Sequence, residues 1–258
     1  MVVLVVHGLP GSSKTSLSRA LVFRDRFREF LHVSKDFCKS TLLLLRDADD
    51  ASCDGGDAWR DRGSLLKRLA RCRETLAESS SVLVEDLDLE SCFAERLVEL
   101  ATSCSLPSRP DDDTLNAWSY QVMLAVTESV LGKWQGHVIL DAPLYRLDVV
   151  QDLGEVFSRT GTDVYVLACY VGDEKIWDDR LRRRKQAGGE VVDKPGSVRE
   201  VMAIYMDQRD RKKECDAAQK IVEGWNVKGT IQLDMGSLSI RDAVGAVEAL
   251  VSQTPSRS

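Results

Sequence analysis

The sequence has few of the features that mark secreted, membrane-embedded or metal-stapled proteins. Its seven cysteines are an odd number, and none forms a Cys-x-x-Cys pair or has a histidine at metal-binding spacing. This pattern favours reduced thiols over a disulfide framework or a zinc site. The apolar run Val2–Val6 is too short to cross a membrane and has no basic leader, so neither a signal peptide nor a membrane anchor is expected. Together these absences predict a cytoplasmic protein.

Positive charge is also in short supply, with 35 Lys and Arg against 41 Asp and Glu and a formal net charge of −6. A general nucleic-acid-binding surface requires an excess of positive charge, so that class is not expected. With 43% hydrophobic residues among 258, the chain can bury a substantial core. We predict one domain over residues 1–251, followed by a disordered tail over 252–258.

Short apolar runs alternate with segments of helical periodicity, which predicts an α/β fold with a parallel sheet. The β-branched run Val2–Val6 is typical of a strand buried on both faces, and a helix should extend from Thr15 to about Phe27. Asp36 and Asp141 each follow the carboxyl end of a predicted strand. The further strands are predicted at Phe30–Val33, Val138–Leu140, Val164–Val171 and Thr230–Leu233.

The segment from about residue 45 to residue 113 departs from this alternation. It contains an acidic stretch with glycines, two helix-like segments at Ser64–Ala77 and Cys92–Ala101, and a turn-rich end. We interpret it as a partly helical insertion that offers a surface for a protein partner. Within it, Glu85-Asp86 follows the strand-like Val82–Val84 and is a rival for a metal-binding role.

Residues Gly8–Thr15, with the sequence GLPGSSKT, fit the phosphate-loop pattern G-x-x-x-x-G-K-[ST] except at one position. A buried strand precedes the loop and a helix follows it, so backbone amides and the helix N-terminus would face an anion. Lys14 would reach the β- and γ-phosphates of ATP, and the Thr15 hydroxyl would complete the shell of Mg²⁺. The alternative is a glycine-rich turn that binds nothing. The predicted nucleotide-binding residues are Gly8, Gly11, Ser12, Ser13, Lys14 and Thr15.

Ser13 stands where the pattern has its last glycine. A side chain at this position either crowds the nucleotide or, if the local φ is negative, adds a hydrogen-bond donor. Reduced affinity is one expected consequence. The sequence therefore leaves open a protein that binds nucleotide but transfers phosphate poorly.

Four segments, in this order along the chain, resemble small P-loop kinases of the zeta-toxin, chloramphenicol-phosphotransferase and polynucleotide-kinase type, and most closely their plant-like AAA-type ATP-binding relatives. The resemblance covers residues 1–40 and 114–235. It implies a kinase-type P-loop NTPase fold, a three-layer α/β sandwich with a five-stranded parallel sheet of order 2-3-1-4-5 and an added insertion. The four segments are Gly8–Thr15, Ser34–Asp36, Val138–Arg146 and Trp177–Arg184.

In such kinases the aspartate after the second strand contacts the acceptor hydroxyl, and Asp36 occupies that position here. A carboxylate there orients the alcohol and accepts its proton as the bond to phosphorus forms. Asp141 follows an apolar run, the arrangement in which a strand-end carboxylate binds magnesium through water. The structural alternatives are a helix N-cap for Asp36 and an ordinary turn for Asp141.

The helix predicted from Glu174 to about Gln186 is basic in an acidic protein. Arg180, Arg183 and Arg184 share one face because they are three and four residues apart. By the resemblance they belong to a lid over residues 174–190, in which Arg180 and Arg183 neutralise charge during transfer and Arg184 contacts the nucleotide. The alternative is a solvated helix with internal ion pairs. Gly188-Gly189 would be its hinge.

The leading hypothesis is therefore a kinase that uses ATP and Mg²⁺ to phosphorylate a hydroxyl of a small molecule or nucleotide. Arg146 joins Asp36 as a candidate for substrate contact, with a local ion pair as the alternative. A nucleotide-binding regulatory or scaffold protein is the second hypothesis. A hydrolase is the third, and it is disfavoured because no Glu or Gln is recognisably placed to orient a water.

Overall fold

A computed structural model of the protein describes residues 1–49, 59, 61–77, 89–103, 111–187, 195–205, 222 and 224–253. Three sequence predictions lie outside these residues: the Val82–Val84 strand, the Glu85-Asp86 pair and the Gly188-Gly189 hinge. Most of the predicted tail, residues 254–258, also lies outside them. Within the described part of the chain, no helix is long and apolar enough to span a bilayer.

The chain forms two compact units, residues 1–32 with 136–258 and residues 33–135. Five strands form one parallel sheet in the order β2-β3-β1-β4-β5, so the predicted fold class and strand order are confirmed. The strands are β1 (Val2–His7), β2 (Phe30–Ser34), β3 (His137–Asp141), β4 (Asp163–Tyr170) and β5 (Val227–Asp234).

The central strand β1 is as apolar and as buried as its sequence predicts, with no exposure over Val3–Val6. It pairs in parallel with β3 on one side and with β4 on the other. At its carboxyl end, Val6 is in register with Asp141 of β3 and Leu167 of β4. The sheet therefore brings Asp141 beside the point where β1 enters the glycine loop.

The structure describes the bounds of five α-helices in the first unit. One sheet face packs against the first and last of these through a single apolar cluster that includes Leu17, Leu21, Val244 and Val247. This packing fixes the helix that follows the loop against the sheet. The helices are α1 (Lys14–Val22), α6 (Leu147–Thr160), α7 (Glu174–Ala187), α8 (Val198–Tyr205) and α9 (Ile240–Ser252).

The expectation that α1 reaches about Phe27 is wrong, because the helix ends at Val22. Arg24 is extended, with φ −91° and ψ 136°, and a 3₁₀ turn follows at Asp25–Phe27. The turn buries Phe27 fully in the core, where its ring packs edge-on against Phe30 with the ring centroids 5.3 Å apart. Phe23, by contrast, is 68% exposed. Burial of one aromatic ring thus overrides the helical spacing that the sequence suggests.

The second unit is helical beyond the end of β2. Both helices predicted within residues 45–113 are present, and each is slightly longer than predicted. The carboxylate of Asp111 caps the last helix by accepting from the Thr114 amide at 2.7 Å. The helices are α2 (Lys35–Asp49), α3 (Arg62–Ala77), α4 (Leu89–Ser103) and α5 (Asp112–Gly132).

Candidate functional site

The loop between β1 and α1 has the backbone of an anion-binding turn. Three of its residues have positive φ: Gly8 at 155°, Gly11 at 81° and Ser13 at 59°. The Ser12 amide donates to the Leu9 carbonyl at 3.2 Å and closes the turn, and α1 begins at Lys14. The helix N-terminus and the loop amides therefore follow the buried strand directly, as the motif requires.

Gly8 is glycine because no side chain fits beside β4. A Cβ at this position would lie 2.2 Å from the Cys169 carbonyl oxygen and 2.7 Å from the Ser12 Oγ. The first of these atoms belongs to backbone in the sheet and cannot move aside.

We expect Gly8→Ala to lower the free energy of unfolding by about 3 kcal/mol, since it forces a methyl group onto a sheet carbonyl. Gly161→Ala is the matched control, because Gly161 also has positive φ, at 62°, but an added Cβ would meet nothing within 4 Å. In that variant the free energy of unfolding should fall by only about 1 kcal/mol, the cost of a non-glycine residue in the left-handed conformation. Urea unfolding measures both losses, and equal losses would contradict the close contact at Gly8.

Ser12 provides a buried polar atom suited to an anion. It is 2% exposed, and its Oγ has no hydrogen-bond partner among the described residues. A buried hydroxyl left without a partner costs free energy, which a phosphate oxygen at the loop would recover. The Ser12 hydroxyl is therefore suited to a hydrogen bond with a bound phosphate.

Ser13 adopts the left-handed conformation, with φ 59° and ψ 17°, so the negative φ that was one of the two alternatives is not the one observed. Its hydroxyl is nonetheless engaged, because it accepts a hydrogen bond from Nη1 of Arg180 at 3.2 Å. The structure therefore brings one predicted lid arginine to the loop. The contact joins residues that are 167 positions apart in the chain.

Lys14, Asp141, His7 and Cys169 share one electrostatic neighbourhood. Burial, and next the charge of Lys14, lower the pKa of His7 to about 4. Burial, and next the charge of Asp141, raise the pKa of the Cys169 thiol to about 12, while Lys14 acts in the opposite direction. A lysine ammonium and an aspartate carboxylate thus both act on the groups at the loop end of β1 and β4.

Asp141 is the last residue of β3 and is 2% exposed. One of its carboxylate oxygens lies 3.9 Å from Nε2 of His32. Burial, and next the charge of Arg19, lower the pKa of His32 to about 4, so this imidazole is neutral near neutral pH and the contact is not an ion pair there. The imidazole therefore adds no positive charge beside this carboxylate near neutral pH.

The oxygens of Asp141 and Thr15 fit the preference of Mg²⁺ for hard donors. Thr15 lies in the first turn of α1 and is partly exposed. The described residues contain no cluster of three or more His, Cys, Asp or Glu arranged to hold a metal. A hydroxyl ligand from Thr15 and a carboxylate of Asp141 that binds through water fit an ion that keeps several of its waters.

The depressed histidine pKa values predict how stability depends on pH. An unfolded histidine titrates near pH 6.5, whereas His7 and His32 stay neutral down to about pH 4, so the unfolded chain binds more protons in this interval. We expect the free energy of unfolding to be highest above about pH 6.5 and to fall as the pH is lowered toward about 4.

Urea unfolding at about pH 7, pH 6 and pH 5 checks this expectation. The double substitution His7→Gln and His32→Gln should flatten the dependence, because glutamine binds no proton in this range. An unchanged slope in the double variant would contradict the assignment of the effect to these two side chains.

Helix α7 lies against the loop through both apolar and polar contacts. Nε1 of Trp177 donates to the Pro10 carbonyl at 2.7 Å, and Leu181 packs in an apolar cluster that includes Leu9. A Cβ on Gly11 would lie 2.9 Å from Cδ2 of Leu181 and 3.0 Å from Nε1 of Trp177. The glycine at position 11 therefore lets the helix approach the loop closely.

The basic residues of α7 differ in their surroundings. Arg180 donates to Ser13, and its Nη2 donates to the Met235 carbonyl at 2.6 Å. Arg183 is exposed, and Arg184 is partly buried. Arg182 pairs with Asp178 one turn earlier at 2.5 Å. The helix thus combines internal ion pairing with one arginine that contacts the loop.

The two residues proposed for substrate contact lie in different units. Arg146 precedes α6 and donates to the Asp148 carboxylate at 3.1 Å and 2.5 Å, so the ion pair considered from the sequence is present. Asp36 lies in the second unit, exposed in the first turn of α2 directly after β2. A helix N-terminus favours a negatively charged side chain.

Sequence reasoning did not single out Leu181, Cys169 or Met235. The spacing of Trp177 and Leu181, four residues apart in an otherwise basic helix, is a signal that could have identified an apolar strip facing the loop. The role of Met235 is carried by its backbone carbonyl, which leaves no signature in the sequence.

Comparisons with known proteins found one family model and a similar solved structure. Residues 3–208 match the family model described as an AAA domain. No curated protein matches the sequence. A solved structure of a "putative kinase" from Chloroflexus aurantiacus J-10-fl is similar, with a TM-score of 0.48, 12% sequence identity, and coverage of 98% of this chain and 97% of that chain. So low an identity says nothing about a shared activity.

Proposed function

The chain belongs to the AAA domain family of P-loop NTPases, and on this premise we propose that it is a kinase. It transfers the γ-phosphate of MgATP to a hydroxyl of a small molecule or nucleotide, as the resemblance to the zeta-toxin and chloramphenicol-phosphotransferase group implies. The observation that carries the proposal is the loop between β1 and α1. There the backbone is shaped for an anion and the buried Ser12 hydroxyl has no partner among the described residues.

The loop residues bind the triphosphate in this proposal. The amides over residues 8–15 and the N-terminus of α1 donate to phosphate oxygens, and Lys14 neutralises charge on the β- and γ-phosphates. Thr15 and Asp141 would hold Mg²⁺, Asp141 through water. When bound, the ion neutralises negative charge on the phosphates and orients them.

Asp36 is the proposed base. It orients the acceptor hydroxyl and takes its proton as the hydroxyl oxygen bonds to the γ-phosphorus, while the bond from that phosphorus to the β-γ bridging oxygen breaks and ADP leaves. Support comes from its place directly after β2 in an exposed first helical turn. Arg146 is the second candidate for acceptor contact, and binding would have to compete with Asp148 for its guanidinium.

The arginines of α7 complete the proposed site. Arg180 and Arg183 supply positive charge that neutralises the phosphoryl group during transfer, and Arg184 contacts the nucleotide. Support for this comes from the hydrogen bond between Arg180 and the loop and from the packing of Trp177 and Leu181 on the same loop.

ADP release tests the proposal, measured on the purified protein with MgATP alone and with a panel of small alcohols and nucleosides. A kinase releases ADP faster when an acceptor is present, and mass spectrometry should find the acceptor heavier by one phosphoryl group. Nucleotide binding without stimulation by any acceptor, and without phosphorylated product from a metabolite extract, would favour the regulatory or scaffold protein instead.

A further inference from the structure

The side chain of Arg180, in α7, contacts two separate segments of the chain. Its Nη1 donates to the Ser13 hydroxyl at 3.2 Å, and its Nη2 donates to the Met235 carbonyl at 2.6 Å. The planar guanidinium presents donors in fixed directions, so two such contacts determine the orientation of the group. Arg180 therefore connects the phosphate loop to the residue that follows β5.

The far end of this connection is itself held in place. Met235 follows Asp234, whose carboxylate accepts from the amides of Gly172 and Gly236, both at 2.9 Å. The Met235 amide also donates to the Tyr170 carbonyl at 2.8 Å. The acceptor for Nη2 is thus a carbonyl on a turn that is tied to β4.

At the phosphate loop, the contact is made by Ser13, whose left-handed conformation is one that glycine adopts more readily than serine. A non-glycine residue in the left-handed region costs about 1 kcal/mol or more, and the Ser13 φ of 59° lies in that region. Strain of this kind persists only where the surrounding structure fixes the residue in that conformation. A glycine at this position would carry no hydroxyl to accept from Arg180.

We propose that Arg180 is a positioning residue which acts through the Ser13 hydroxyl to hold the phosphate loop in its anion-binding conformation. Serine at position 13 is then the acceptor that links α7 to the loop, and not a defect that weakens the loop. The inference rests on the proposed function, because it assigns a task to the loop that binds the triphosphate. It replaces the expectation that Ser13 reduces affinity.

Ser13→Gly separates the two accounts because they predict opposite signs. If serine merely crowds the phosphates, glycine relieves the crowding and MgATP binds more tightly. If serine positions the loop through Arg180, the variant loses the contact and the dissociation constant rises by about tenfold, the worth of one hydrogen bond to a charged group. Isothermal calorimetry with MgATP measures the change.

A double-mutant cycle with Arg180→Met tests whether the effect passes through the contact. Each single substitution should raise the dissociation constant by about tenfold, and the double variant should be no weaker than the weaker single variant. Arg182→Met is the matched control, because it removes the same charge from the same helix at a side chain that is 64% exposed and pairs with Asp178. It should leave MgATP binding unchanged.

Ser13→Asn provides a rescue that a purely steric role would not. Asparagine tolerates the left-handed conformation and carries a side-chain oxygen that can accept from Arg180. Its dissociation constant should lie close to that of the wild type. In an Arg180→Met background, Ser13→Asn should bind MgATP no more tightly than Ser13→Gly.

Three results would overturn the inference: tighter binding by Ser13→Gly, additive effects in the cycle, or coupling seen in urea unfolding of the free protein but absent from MgATP binding. These differ from a failure of the proposed function. In that case the wild type itself binds no MgATP, and the inference falls with it.

Discussion

Lys14→Ala should weaken the binding of MgATP by about 100-fold or more, because in the proposed function the Lys14 ammonium pairs with phosphate in a partly buried site. The side chain begins the first turn of α1, and its charge contributes to the lowered pKa of His7 and opposes the raised pKa of the Cys169 thiol. The charge of Lys14 thus already affects His7 and Cys169, at the end of the loop that would receive the anion. Isothermal calorimetry with MgATP measures the loss.

Lys175→Ala is a suitable control because Lys175 is an exposed lysine in the first turn of α7. It removes the same charge from the protein and should leave the affinity unchanged. A second readout checks the placement of Lys14 without nucleotide, since its removal should raise the pKa of His7 toward the ordinary value of about 6.5. Unchanged MgATP affinity in Lys14→Ala would argue against a phosphate-binding role for the loop.

The sheet was predictable because its strands carry strong local signals. β1 is a β-branched run that ends at Gly8, and the strands at β2 and β3 each lead to an aspartate. Such runs identify buried parallel strands, and the resemblance supplied their order, which the structure confirms. The end of α1 was not predictable in this way, because burial of Phe27 depends on Phe30 and the core around it.

The candidate site was predictable only where it depends on local sequence. The pattern GLPGSSKT identified the loop, but it left the sign of φ at Ser13 open, since the backbone there is fixed by the transition from loop to helix. The partner of Ser13 lies 167 residues away. Periodicity placed Arg180, Arg183 and Arg184 on one face but did not indicate which of them reaches the loop, because that depends on how Trp177 and Leu181 pack.

Asp36→Asn should abolish stimulation by acceptors while leaving MgATP binding intact. Asparagine keeps the size of the side chain and a hydrogen-bonding oxygen, but it accepts no proton from the acceptor hydroxyl. Loss of a general base costs about 100- to 10,000-fold in turnover. The expected result is therefore acceptor-dependent ADP release close to the rate of MgATP hydrolysis without acceptor, together with an unchanged dissociation constant for MgATP.

Asp113→Asn is the matched control, because Asp113 is also an exposed aspartate in the first turn of a helix of the second unit. It removes the same charge at an equivalent helix position and should keep full acceptor-dependent turnover. The comparison separates a chemical role for Asp36 from the general effect of a carboxylate at a helix N-terminus, which is worth only about 0.3–1 kcal/mol. If Asp36→Asn retained full turnover, the proton would be accepted elsewhere, and Asp36 would be a helix-terminal residue with a structural role.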